Sequence, residues 1–313
     1  VLAYALKRLL LAVPGLLVVA ALVFTLVRMI PGDPAQVLVG DLQDARALAQ
    51  AREALGLDRP FLVQFALWLE RVLQGDLGRA IVDGESVLPT LLRRFFVTAQ
   101  FTTVALALGA CLAVPAGLLA AWRQGGAADA LVVATAILLM SIPSFWIGLM
   151  LILVFGVGLG WLPVVGYVSV AEDFGRGLSY LVLPVAALAL GEVSTIARMM
   201  RSSALEVLRL EYVVHARAKG LRERTVLWRH VFRNAFAPTL TFIGLVLGGL
   251  LGGAAVTETV FGIPGLGRYL VDAIYARDYP AIQGCLLFVA VVYTAVNLAI
   301  DLVYPLLDPR VRL

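Results

Sequence analysis

Residues 211–238, EYVVHARAKGLRERTVLWRHVFRNAFAP, set Arg217, Lys219, Arg222, Arg224, Arg229 and Arg233, with Arg209 just upstream, between two strongly apolar runs. Charge concentrated between apolar runs reads as a loop joining membrane spans, and Lys and Arg in such loops collect on one side of the bilayer. Residues 216–220 form one compact helical turn with a glycine stop, so the segment is more organised than a tether. Its small residues Ala216 and Ala218 permit close approach of a partner surface. Arg217 and Lys219 offer charge-assisted hydrogen bonds, and Gly220 can take the left-handed conformation that ends a helix.

The rest of the chain confirms the apolar setting. It is 61% hydrophobic and 15% charged, with a mean hydropathy of +0.93, which identifies an integral membrane protein. A span needs about 20 apolar residues, and six windows qualify: 9–30, 97–121, 131–157, 179–199, 236–258 and 283–305. The fold class is therefore all-α, with six transmembrane helices in a single transmembrane domain over 1–313. The first window is longer than a signal peptide's apolar core and lacks a small-residue cleavage site, so it reads as a retained anchor.

An even number of spans puts both termini on one side. Lys7, Arg8, Arg123, the cluster from Arg198 to Arg233, Arg310 and Arg312 make that side cytoplasmic, with a loop over 202–235. The long segment 31–96 is then external. Within it, Phe61, Leu62, Phe65, Trp68, Leu69, Val72 and Leu73 fall on a helical stripe, started by Pro60 and stopped at Gly75. This predicts a helix packed on the bundle or lying in the interface. Gly244, Gly248, Gly249, Gly252 and Gly253 supply small-xxx-small spacings for close helix packing, either within the chain or against a partner.

Several function classes are excluded by their missing motifs. There is no G-x-x-x-x-G-K-[ST] phosphate loop, no H-E-x-x-H and no G-x-S-x-G; the two histidines, His215 and His230, both lie in the basic loop. Cys111 and Cys285 lack metal-ligand spacing. No enzyme, metal site or bound cofactor is expected, and the positive charge is explained by loop sidedness rather than nucleic acid. Acids at membrane depth single out Glu192, Glu258 and Asp301. Glu192 either lines a path or pairs with Arg198 or another cation, whereas Asp301 is expected to reach interfacial water.

Longer motifs bring a resemblance into view. They are Pro31-Gly32-Asp33-Pro34; LGLDRPFLVQFALWLERVLQGDLGRA from Leu55; SIPSFWIGL from Ser141; ARAKGL from Ala216; LGGLLGGAAVTETVFGIPGLGRYL from Leu247; ARDYPAIQG from Ala276; and LLDPRVR from Leu306. In this order and spacing the chain resembles the first of the two permease subunits of bacterial dipeptide, oligopeptide and nickel ABC importers, of the type I (MetI-like) fold. It departs at Val214, where the general family has an acid, and at His215, where the peptide subgroup usually has threonine.

The resemblance implies alternating access in the bacterial inner membrane. Expected partners are a second homologous permease in a heterodimer, two ATPase subunits that hold ATP and Mg, and an extracytoplasmic substrate-binding protein. It further implies that Glu211, Tyr212, His215, Ala216, Arg217, Ala218, Lys219, Gly220 and Leu221 form a coupling helix seated on an ATPase subunit. Ser141, Pro143, Glu192, Glu258, Phe261, Pro264, Gly265, Gly267, Asp278 and Pro280 are assigned to the translocation path or outer gate, although Pro264, Gly265 and Gly267 are equally explained as shaping a turn. The implied cargo is a di- or oligopeptide, with a nickel chelate or glutathione as alternatives. A self-contained secondary transporter would instead show inverted repeats, and none is found.

Overall fold

The computed structural model describes residues 2–29, 39, 45–54 and 56–307. The Pro31–Pro34 motif, Leu55 and the Asp308–Arg312 part of the last motif lie outside the described residues. The elements in chain order are α1 (Leu2–Met29), α2 (Ala45–Ala54), α3 (Phe61–Leu73), α4 (Val87–Trp122), α5 (Ala127–Ser141), α6 (Ser144–Leu151), α7 (Phe174–Leu208), α8 (Glu211–Ala218), α9 (Arg233–Leu251), α10 (Ala255–Phe261), α11 (Leu266–Tyr275) and α12 (Tyr279–Leu307). The only pairing of strand type among the described residues is an isolated bridge between Arg79 and Ser86.

Among the described residues five helices are long and apolar enough to cross a membrane, and α5 with α6, bent by 92° at a short break, makes the number six when the pair is counted as one span. The bend has a local cause. Pro143 caps α6, and Ile142 before it is extended (φ −105, ψ 123), as the ring of a following proline requires. A π-helical stretch, Ile152–Gly158, prolongs α6.

The fifth window is interrupted too. The span, entered through a short turn at Glu223–Thr225 and a π-helical stretch at Val226–Phe232, stops at Leu251. The chain restarts as α10, which is why Glu258 lies outside the span on which its hydropathy window placed it.

The bundle centre is the pair α4 and α7. A Cβ on Gly117 would fall on the Ala197 carbonyl and the Met200 side chain, and one on Gly109 would stand 3.2 Å from the Ala189 carbonyl. Glycine at both places lets the two backbones touch. Toward the α8 end, Leu118, Ile196, Met200, Val213 and Val231 form one core; toward the other end, Phe101, Leu181, Phe261 and Ile263 form a second.

Gly244 and Gly248 of α9, with Gly252 just after it, face inward within the chain. Gly244 lies against Ile300, Gly248 against Tyr293 and Gly252 against Val289, all on α12, while Gly249 has nothing within 4 Å of its missing Cβ.

The stripe on α3 packs through Phe65, Trp68, Leu69 and Val72, while Leu62 and Leu73 stand exposed. Phe24 of α1 sits among Phe61, Phe65 and Trp68, with ring centroids 5.3–5.4 Å away. Gln64 fastens the same junction: its Oε1 accepts from Arg28 Nε at 2.9 Å and its Nε2 donates to the Arg59 carbonyl at 2.7 Å. Gln64→Ala should remove about 1–2 kcal/mol from this junction, read as faster proteolysis after α3 with unchanged melting of the bundle. Asp301 has a cationic partner as well: its Oδ2 lies 3.0 Å from Arg8 Nη1, joining the start of α1 to the end of α12.

Candidate functional site: a capped loop helix, a buried carboxylate knot and an open face

Helix α8 is closed by a full C-terminal capping motif. The Gly220 N–H donates to the Arg217 carbonyl at 2.9 Å, and the Leu221 N–H reaches back to the Ala216 carbonyl at 3.3 Å, with Gly220 at φ +75. Glu211 in the first turn meets the positive end of the helix dipole. Tyr212 fixes the helix to the following segment, since its hydroxyl donates to the His230 carbonyl at 3.3 Å and accepts from Asn234 Nδ2 at 2.9 Å.

The small residues of α8 divide between two faces. Ala216 is buried with Val213 in the chain's own core, so its size serves internal packing. Ala218 is exposed, together with Glu211, His215, Arg217, Lys219, Gly220 and Leu221. Arg217 makes a two-point ion pair with Glu223, at 2.9 and 3.2 Å, that braces the turn from inside the loop.

Apolar residues on this helix matter as much as its charges. Leu210 and Val214 are exposed and with Ala218 fall at helical spacing on one outward stripe; Leu221, just past the cap, is exposed too. The i, i+4, i+8 spacing of 210, 214 and 218 is the signal that the sequence carries for it.

At the opposite end of the core, Glu258 is 0% exposed. Its Oε1 accepts from Thr98 Oγ1 at 2.6 Å and its Oε2 from the Arg268 N–H at 2.7 Å, while the Leu266 N–H donates to Thr98 Oγ1 at 2.8 Å. These donors belong to the first turn of α11, whose N–H groups have no partner within their own helix. A carboxylate from α10 and a hydroxyl from α4 thus cap α11 jointly. Burial pushes the Glu258 carboxyl above the usual carboxylate range, against the pull of the hydrogen bonds from Thr98, Arg268 and Gly267.

Close approach around this knot explains its glycines. A Cβ on Gly265 would overlap the Glu258 carboxylate, and one on Gly267 would stand 2.7 Å from the Ala255 backbone. Gly262 ends α10 at φ +68, and the Gly265 N–H donates to the Ile263 carbonyl at 2.9 Å, which turns the chain tightly around Pro264. Phe261 closes the knot against α6, because a Cβ on Gly148 would lie 3.0 Å from its ring.

The remaining sequence-selected residues occupy two other places. Asp278 caps α12 through the Ala281 N–H at 3.2 Å and ties in the segment before α4, accepting from the Ile81 and Val82 N–H groups at 2.7 and 3.2 Å. Pro280 stands beside Gly78. Ser141 and Pro143 lie exposed at the bend, the Ser141 hydroxyl donating to the Ile137 carbonyl at 2.8 Å. Glu192 is half-buried on α7 and receives a long hydrogen bond, 3.4 Å, from Thr195 Oγ1; its neighbour Gly191 faces Ser144 at the bend. Arg198 donates to Met140 Sδ rather than to Glu192.

Comparison with known proteins decides what this architecture is. The family described as "Binding-protein-dependent transport system inner membrane component" matches residues 113–313, and its companion, "Binding-prot-dependent transport system membrane comp, N-term", matches residues 1–102. The chain belongs to this permease family. The permease is 40% identical over 307 residues to a "Putative peptide transport system permease protein" of Brucella abortus, with 98% of each chain covered. It is 38% identical over 331 residues to the "Dipeptide transport system permease protein" of Alkalihalophilus pseudofirmus, covering 99% of each. It is 40% identical over 309 residues to the "Glutathione transport system permease protein" of Salmonella paratyphi A, covering 99% of this chain and 98% of that one.

The permease is therefore an inner-membrane, multi-pass transport subunit of an ABC importer and not an enzyme. An importer of this kind implies ATPase and substrate-binding partners for the permease. A solved amino acid ABC transporter also overlaps 71% of this permease and 94% of its own chain, at a TM-score of 0.47 and 18% identity.

Proposed function

We propose that this permease forms half of the translocation path of an ATP-driven importer of short peptides, paired with a second homologous permease. Substrate arrives on an extracytoplasmic binding protein, and ATP and Mg act on partner ATPase subunits. Residues 1–313 make one permease domain, with 31–96 outside and the 202–235 loop and both termini in the cytoplasm. The Arg8–Asp301 pair, at 3.0 Å, supports placing the two ends together.

The observation that carries the coupling role is α8 itself: capped at its end, locked by Tyr212, and bearing an apolar stripe rimmed by His215, Lys219 and Arg222. An apolar stripe with a basic rim suits a partner groove and not solvent. The knot around Glu258 suits an outer gate element, since α10 and α11 are held as one body by hydrogen bonds from α4 and can move only with it. For cargo, the support is the peptide-transport naming of relatives that align over nearly their whole length. Glutathione, itself a tripeptide, is the second reading.

The test is reconstitution of the four-subunit transporter with its binding protein in vesicles, followed by uptake of a labelled dipeptide and of glutathione. Uptake of either should require ATP and the ATPase subunits. Transport by the permease chain without an ATPase would overturn the reading, and failure with both cargoes in the complete assembly would overturn the choice of substrate.

A further inference from the structure

A cavity of about 680 Å³ opens between α5, α7 and α9, with Ile137, Thr195, Arg198, Arg201, Ser202 and Phe242 in its lining. It is apolar on its α5 side and polar along α7. Its two arginines differ in an informative way. Arg201 is committed, donating from Nε and Nη2 to Asp129 at 2.6 and 2.9 Å. Arg198 has, among the described residues, a single polar contact: Nη1 to the thioether sulfur of Met140 at 3.0 Å. A guanidinium carries five N–H donors, and a thioether is a weak acceptor, so most of this cation's hydrogen-bonding capacity faces the cavity unused.

Polar side chains at membrane depth face a partner or a water-filled space and not lipid. Here the polar groups are graded along one helix. Thr195 lines the cavity and bonds to Glu192, which stands one turn farther from α8.

We propose that this cavity is a transit site for a carboxylate-bearing substrate, with Arg198 as the residue that receives the carboxylate. The proposal rests on the peptide-importer reading and adds to it a place of passage. Volumes of about 300–1,000 Å³ are those of small-ligand pockets, so the space admits a di- or tripeptide and excludes long chains unless they thread through. The Arg201–Asp129 pair then serves as a positioning element, since it holds α5 against α7 and leaves Arg198 as the one uncommitted cation of the lining.

The experiment uses the assembled transporter with Ser202→Cys introduced on the cavity wall in a Cys111→Ser background; Cys285 is fully buried. The probe is a water-soluble thiol reagent, and the measured quantity is protection of the introduced thiol by a dipeptide and by its C-terminal amide. The thiol should react. The free-carboxyl peptide should protect it about tenfold better than the amide, and Arg198→Gln should abolish that difference while Arg198→Lys preserves part of it. An unreactive thiol, equal protection by the two peptides, or protection unchanged by Arg198→Gln would each overturn the proposal. Peptide uptake by the unmodified transporter is measured in parallel, so a wrong cargo class, which abolishes uptake, is told apart from a wrong site, which leaves uptake intact.

Discussion

Glu258→Ala is expected to lower stability by about 3 kcal/mol or more, while Glu258→Gln stays within about 1 kcal/mol of the parent. Alanine strands the first-turn N–H groups of α11 and the Thr98 hydroxyl in a site that water does not reach, and each unsatisfied buried group costs about 1–3 kcal/mol. Glutamine can keep the pattern. Its carbonyl takes the Arg268 and Gly267 N–H groups, and its amide donates to Thr98 Oγ1, reversing the parent bond, so the Thr98 proton rotates away while Oγ1 still accepts from the Leu266 N–H.

Gly265→Ala should be as damaging as Glu258→Ala for a different reason, because its methyl overlaps the carboxylate. Combined with Glu258→Ala, it should cost less than the two losses added together, since the clash disappears with the side chain it strikes. The buried thiol of Cys285 supplies the readout in a Cys111→Ser background: its exposure to a thiol-reactive dye on heating reports unfolding of the α4, α11 and α12 junction. A Gln variant as unstable as the Ala variant would show that the charge, and not the hydrogen-bond geometry, holds the knot.

These contacts explain which parts of the molecule are legible in the sequence. The helix α3 is read correctly to its end residues because everything that defines it is local: Pro60, an apolar stripe and Gly75. The six spans are legible for the same reason, since hydropathy is a sum over neighbours. The 92° bend is half-legible, through Pro143, whereas the angle itself depends on α7 and α10 packing beside it. The break at Leu251 escapes a reading of the string because Gly252 and Gly253 suit a packed span as well as a stop. Only the contact of Gly253 with the Gly267 backbone settles which it is.

The same distinction applies to the candidate site. Glu258 stands out in the sequence as a costly acid, yet its partners are 160 residues upstream and about ten downstream, so no spacing rule could name Thr98 or the first turn of α11. Ala216 and Ala218 look interchangeable in a string and lie on opposite faces in the fold. Arg198 and Arg201 are three apart on one helix, and what separates them is Asp129, 72 residues away from Arg201.

Gly220→Val is expected to reduce uptake at least tenfold while leaving membrane insertion and the basal ATPase rate of the assembly within about twofold of the parent. Nothing lies within 4 Å of where a Cβ on Gly220 would stand, so the effect is not steric crowding. It is conformational: at φ +75 an L-residue costs about 1–2 kcal/mol, and a β-branched one tolerates this region least. Relief comes by swinging the backbone, which breaks the Leu221 to Ala216 closure and turns Leu221 and Lys219 out of line with Val214 and Ala218. Switching a two-state transporter from 1:99 to 99:1 needs a bias of about 5.5 kcal/mol, and in the coupling role proposed for α8 that bias passes through this rigid end. Asparagine adopts the left-handed region more readily, so Gly220→Asn should retain more than half of the uptake, with Gly220→Ala between the two. The ordering Gly, Asn, Ala, Val follows backbone preference and not side-chain size or charge. A valine variant that transports normally would therefore mean that α8 is bathed by solvent and transmits nothing.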